Sequence, residues 1–135
     1  MTIANSMTKF LQDQTLANFL EVRLKVVEYD DFNPYLNYEN VVNNFFLREQ
    51  FDEGIAALRN LLPGSVLSFG LHGLLAYAYG KIGATQEMQR EIFIAQAVIT
   101  ALLSTGDGSQ LHPYDVTQIN DEYDILRYLG KKSKD

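Results

Sequence analysis

The residues with the most chemical capacity in this chain are few: two histidines, His72 and His112, one Thr105-Gly106-Asp107-Gly108 turn, and the acidic group Asp121, Glu122 and Asp124. His72 has no second histidine and no carboxylate three or four residues away, the spacing with which one helix chelates a metal. His72 therefore reads as a core or groove histidine, and His112, just before Pro113, as a solvent-facing loop residue. The Thr-Gly-Asp-Gly turn offers a single carboxylate, Asp107, where a calcium loop needs oxygens at alternate positions. It also lacks the following lysine of a phosphate loop. A helix-ending turn explains it better, with Asp107 bonding to nearby backbone. The three acids suit the start of a short helix, where carboxylates face unpaired N–H groups. No serine sits in a Gly-x-Ser-x-Gly elbow, there is no dinucleotide-binding glycine fingerprint, and the chain has no cysteine. Disulfides, thiol catalysis and cysteine-held zinc are thereby excluded.

Charge narrows the partners. The chain has 135 residues, 47% of them hydrophobic, with a formal net charge of −6. An acidic surface repels phosphate backbones, and the one basic cluster, Lys131, Lys132 and Lys134, lies in the tail. Nucleic acid is disfavoured as a partner, and a basic protein is compatible. The N-terminus lacks the charged and apolar segments of a secretion signal. The most apolar run, residues 66–79, is too short to span a bilayer. A cytoplasmic location, with no membrane contact and no cofactor, is expected. Beginning at Met1, the chain reads as one small domain (1–135) with frayed ends at 1–8 and 131–135.

The elements that would position these residues are mostly helices. From Lys9 to Val27, Leu16, Phe19, Leu20, Leu24 and Val27 recur at helical spacing. Asn33-Pro34 breaks the chain. Residues 38–50 carry Tyr38, Val41, Val42, Phe45 and Phe46 on one stripe, with Asn37 placed to cap. Residues 51–62 carry Phe51, Ile55, Leu58 and Leu62, and Pro63-Gly64 stops them. Residues 66–82 are apolar on nearly every side, the pattern of a central helix, with Gly70, Gly73 and Gly80 expected to admit close neighbours. Gly83 ends that helix, and 86–103 carry Met88, Ile92, Ala95, Ile99 and Leu102. Residues 114–119 alternate weakly like a strand, and Asp121 to Leu129 reads as a short closing helix stopped by Gly130.

The middle of this series folds onto itself. Phe51 and Thr85 hold equivalent places 34 residues apart, the period of a tetratricopeptide repeat. Leu75, Ala76, Tyr79, Gly83 and Ala95 fall where that motif wants Leu, small, aromatic, Gly and small residues. In the first unit Phe45 and Phe51 fit, and Gly54 takes the small position. The fold class is thus all-α, built of antiparallel tetratricopeptide-like hairpins with a short irregular or strand-plus-helix closure at the C-terminus.

A second likeness covers roughly residues 19–130. The run Phe19-Leu20-Glu21-Val22-Arg23-Leu24, the later Phe32-Asn33-Pro34-Tyr35, the Thr105-Gly106-Asp107-Gly108 loop and the Glu122-Tyr123 pair resemble an uncharacterised bacterial domain family of unknown function. The resemblance implies an order of elements and no activity. It also implies a histidine early in the central helix, matched by His72. A second histidine expected in the next helix is replaced by Ile92-Phe93-Ile94.

Function follows by elimination and by surface. The 8 tyrosines and 8 phenylalanines must mostly be core, but Tyr35, Tyr38, Tyr77 and Tyr79 are candidates for lining a groove, since tyrosine serves interfaces well. The expected role is a protein- or peptide-binding module without enzymatic activity, such as a bacterial immunity or adaptor protein. The rival is a small-ligand binder or enzyme with a pocket near His72, Tyr79, Asp107, Glu122 and Tyr123. A purely structural homo-oligomer is a third possibility.

Overall fold

The computed structural model describes residues 2–33 and 38–105. Among them are six α-helices and no strand: α1 (Ile3–Gln12), α2 (Leu16–Val27), α3 (Glu39–Asn44), α4 (Phe51–Arg59), α5 (Phe69–Lys81) and α6 (Thr85–Leu103). A 3₁₀ turn, Phe46–Arg48, extends α3. The all-α class expected from periodicity holds.

Local chemistry explains where the helices start. The Thr2 hydroxyl accepts the Asn5 N–H at 3.1 Å, so α1 begins at Ile3, within the stretch expected to fray. Thr15 does the same for Asn18 at 3.2 Å, and the Asn18 side chain donates to the Asp13 carbonyl at 2.8 Å. These bonds divide the expected 9–27 helix into α1 and α2. The sequence Asp13-Gln14-Thr15 has no Gly or Pro to announce the break, but a threonine cap suffices. Ser68 caps α5 by accepting the Leu71 N–H at 3.1 Å, and residues 61–67 form turns ahead of it instead of a first helical turn.

Two hydrophobic clusters organise these pieces. Leu71, Leu75 and Ala78 of α5 pack with Tyr38, Phe46, Ile55 and Leu58 from α3, its extension and α4. The other cluster joins Met7 and Phe10 of α1, Phe19, Val22 and Val26 of α2, and Ile94, Ala97, Val98, Ile99 and Leu102 of α6. The Phe10 and Phe19 rings lie 5.6 Å apart, and Lys9 reaches Glu21 at 3.3 Å across the α1–α2 hairpin. The N-terminal hairpin thus packs against α6, the last described helix, and not ahead of α3.

This packing corrects the apolar face assigned to residues 16–27. The core side of α2 is Phe19, Val22 and Val26, whereas Leu16, Leu20, Leu24 and Val27 are exposed. Both sets have helical spacing, so periodicity alone could not choose between them. A similar correction applies to α6: Ile92 is exposed, and Glu91 takes the inward position in phase with Ile94, Ala95, Val98 and Leu102.

Two turns 34 residues apart have the same backbone geometry. Glu49 (φ 59°) and Gly83 (φ 78°) are both left-handed and occupy equivalent positions. After each, the next N–H reaches back five residues: Gln50 to the Phe45 carbonyl and Ala84 to the Tyr79 carbonyl, both at 2.9 Å. Glu49 and Gly83 donate to Phe46 and Gly80 at 3.1 and 3.2 Å. This is the Schellman stop, used twice between the paired helices α3/α4 and α5/α6. The contact beside each stop is also repeated with the sizes exchanged. A Cβ on Gly54 would meet Phe46 Cε1 at 2.2 Å, and one on Gly80 would meet Met88 Sδ at 3.0 Å. Residues 46 and 80 are equivalent, as are 54 and 88. Each hairpin fills the same gap with one large and one absent side chain. Gly73, by contrast, meets nothing within 4 Å and admits no close neighbour.

Candidate functional site

His72 is the natural starting point. It lies in the first turn of α5, 3% exposed, and both ring nitrogens are engaged. Nε2 donates to the Val66 carbonyl at 2.6 Å, and Nδ1 lies 2.7 Å from Glu91 Oε2. The carbonyl can only accept, so Nε2 carries hydrogen. Nδ1 and Oε2 then form a second polar contact, between an imidazole and a carboxyl that are both buried. This arrangement ties the start of α5 to α6 and to the turns that precede α5. Both ring nitrogens of His72 are taken up by these contacts. The group is a clamp.

Glu91 was missed in the sequence because it is 19 residues from His72, beyond any single-helix spacing. A signal existed. Glu91 stands in phase with Ile94, Ala95, Val98 and Leu102, and a carboxylate on an apolar stripe needs a buried partner. The partner for His72 lies next to the Ile92-Phe93-Ile94 run where a second histidine was expected.

Tyr79 lies on α5, one helical turn before Gly83. It is half-buried, and its hydroxyl accepts from Arg59 Nη1 at 3.2 Å, linking α4 to α5. Asp107, Glu122 and Tyr123 lie outside the described residues, as do Tyr35 and His112. Of the five residues expected around a pocket, the described ones are His72, bonded to Val66 and Glu91, and Tyr79, bonded to Arg59. Tyr38 is buried in the α3–α5 cluster and lines no groove.

A shallow cleft of about 220 Å³ lies elsewhere, lined by Tyr29, Asp31, Asn33, Asn60, Leu61, Leu62, Gly64 and Ser65. It shares no residue with the His72 clamp. Among the described residues no group of three or more His, Cys, Asp or Glu is placed to hold a metal. No described helix is long and apolar enough to cross a membrane.

A further surface lies on the exposed side of α5. Gly73, Tyr77 and Lys81 follow one exposed edge of α5, and the equivalent residues of the first hairpin, Glu39, Asn43 and Leu47, are exposed as well. Tyr77 sits 5.9 Å from both Phe46 and Phe51, and Lys81 Nζ lies 5.5 Å from the centre of the Tyr77 ring. This places an aromatic face with a cation over it on the exposed edge of α5. Tyr77 alone among these was marked by the sequence, as a groove tyrosine.

No protein-family model matches the chain, and searches of curated proteins and of solved structures find no significant similarity.

Proposed function

We propose that this chain is a protein- or peptide-binding module whose two central hairpins are tetratricopeptide-like units. The observation that carries the reading is the duplicated exposed edge: residues 39, 43 and 47 in one hairpin and their equivalents 73, 77 and 81 in the next are all exposed. Stacked helical hairpins use such an edge as an extended contact surface. Leu47 and Tyr77 supply apolar area, Glu39 and Lys81 supply charge, and an extended peptide can run across both units. The net charge of −6 favours a basic partner. A bacterial immunity or adaptor protein acting in the cytoplasm by surface contact is the concrete form of this reading.

The test is affinity capture from a native lysate of the source organism, with Leu47→Asp/Lys81→Glu as the control. The expected result is a stoichiometric partner held by the wild-type chain and lost by the double variant. Absence of any stoichiometric partner, or one retained equally by both, overturns the reading. A toxin-like gene immediately upstream would support the immunity version.

A further inference from the structure

The cleft of about 220 Å³ lies where the C-terminal ends of two helices meet. Tyr29, Asp31 and Asn33 line it from the turn that follows α2, and Asn60, Leu61 and Leu62 from the turns that follow α4. The two walls touch at Gly64, where a Cβ would stand 3.4 Å from Tyr29 Cδ2 and 3.7 Å from Phe32 Cα. Behind them stand the two hydrophobic clusters, with Phe32 packed against one and Leu61 and Leu62 against the other. The cleft is thus a recess at the seam between the two cores. We propose that it binds one cationic group, a guanidinium or a primary ammonium on a short aliphatic stem.

Charge and size select that ligand. A helix ends in carbonyls that together carry about half a negative charge. Asn60 is the C-cap of α4, and Tyr29 directly follows Glu28, the C-cap of α2, so two such ends face the cleft. Asp31 adds a full carboxylate, and among the described residues it has no cationic partner. Neither wall segment, 28–33 or 60–65, contains Lys, Arg or His. The cation next to the wall, Arg59, donates to the Tyr79 hydroxyl at 3.2 Å. An anion therefore finds no positive charge in the lining, whereas a cation finds the Asp31 carboxylate, the Asn60 amide oxygen and the π-density of Tyr29. Leu61 and Leu62 offer apolar surface to a methylene stem. The volume falls below the roughly 300–1,000 Å³ of sites for drug-sized ligands, which suits one side chain or one small amine. The same chemistry can come from an Arg or Lys side chain of another protein or from a free small cation. The cleft shares no residue with the exposed edge of α5, so the two sites stand or fall separately.

The test is an amide NMR titration of the full chain at low salt with butylguanidinium, and with its neutral isostere butylurea as control. We expect saturable shifts at residues 29–33 and 60–65 with butylguanidinium, in the millimolar range, and none with butylurea. Asp31 is exposed, so Asp31→Asn keeps the fold and should weaken binding about three- to fivefold, the upper range for an exposed ion pair. Asp52→Asn, at the opposite end of α4, removes the same charge from the protein and should leave the affinity unchanged. A blocked Gly-Gly-Arg-Gly-Gly peptide that shifts the same resonances would assign the site to a side chain of a protein partner. Binding of butylguanidinium without the peptide would assign it to a free small cation. No saturable shift with either probe, equal shifts with butylurea, or equal weakening by Asp31→Asn and Asp52→Asn would each overturn the proposal.

Discussion

The twin turns at Glu49 and Gly83 allow a substitution whose sign is fixed by backbone geometry alone. Glu49 has φ 59° and ψ 26°, and its side chain is exposed. A residue with a Cβ costs about 1–2 kcal/mol in this region. Replacing it with glycine removes that cost and adds back about 0.4–1 kcal/mol of extra chain entropy lost on folding. Glu49→Gly should therefore stabilise the protein by about 0.5–1 kcal/mol. The equivalent Gly83 already has the favourable residue at φ 78°, so Gly83→Ala should destabilise by a similar amount. In urea, with a slope of about 2 kcal/mol per molar, each change moves the midpoint by roughly 0.3–0.5 M in opposite directions, with the slope itself unchanged. Glu49→Gln separates charge from backbone and should leave the midpoint within about 0.2 M of wild type. A lower midpoint for Glu49→Gly, or a higher one for Gly83→Ala, would refute the equivalence of the two turns.

Three further substitutions probe the packing. Gly54→Ala places a methyl 2.2 Å from Phe46, whose ring is flanked by Phe51 and Tyr77; a loss of about 1–3 kcal/mol is expected in denaturant unfolding, partly restored by adding Phe46→Leu. His72→Leu leaves Glu91 buried without its partner and should cost about 3 kcal/mol, while His72→Leu/Glu91→Leu recovers at least half of that in the same assay. If the double variant is no better than the single, the clamp account fails. Gly73→Ala adds a methyl into open space on α5 and should raise stability by about 0.5–1 kcal/mol, read as an increase of roughly 2–4 °C in Tm.

The sequence was informative where a single side chain decides structure. Gly83 ended the central helix as expected, Phe51 and Thr85 begin α4 and α6, and the 34-residue spacing of the hairpins was visible. It was ambiguous where two faces compete. On α2, Phe19, Val22 and Val26 were as periodic as Leu16, Leu20 and Leu24, and only the position of α6 decides which set is core. The hydroxyl of Thr15 breaks one expected helix into two without any glycine or proline. Of the candidate pocket, the composition of the His72 surroundings was only half legible. A histidine on an apolar helix implies a buried partner, but the partner's identity depends on tertiary packing 19 residues away. Asp107, Glu122 and Tyr123 fall outside the described residues, so their share of that pocket rests on sequence alone.

The exchanged sizes at Phe46/Gly54 and Gly80/Met88 bear on how the chain finds its own partners while it folds. Duplicated helices invite crossed pairing, with the first element of one unit seated on the second of the other. Here such a cross would set the Phe46 ring against the Met88 thioether in a space built for one of them, and would leave two bare glycines facing a hole at the other junction. Either error is costly. The lock and its key are interchanged between the two copies, so each first helix recognises only its own sequel.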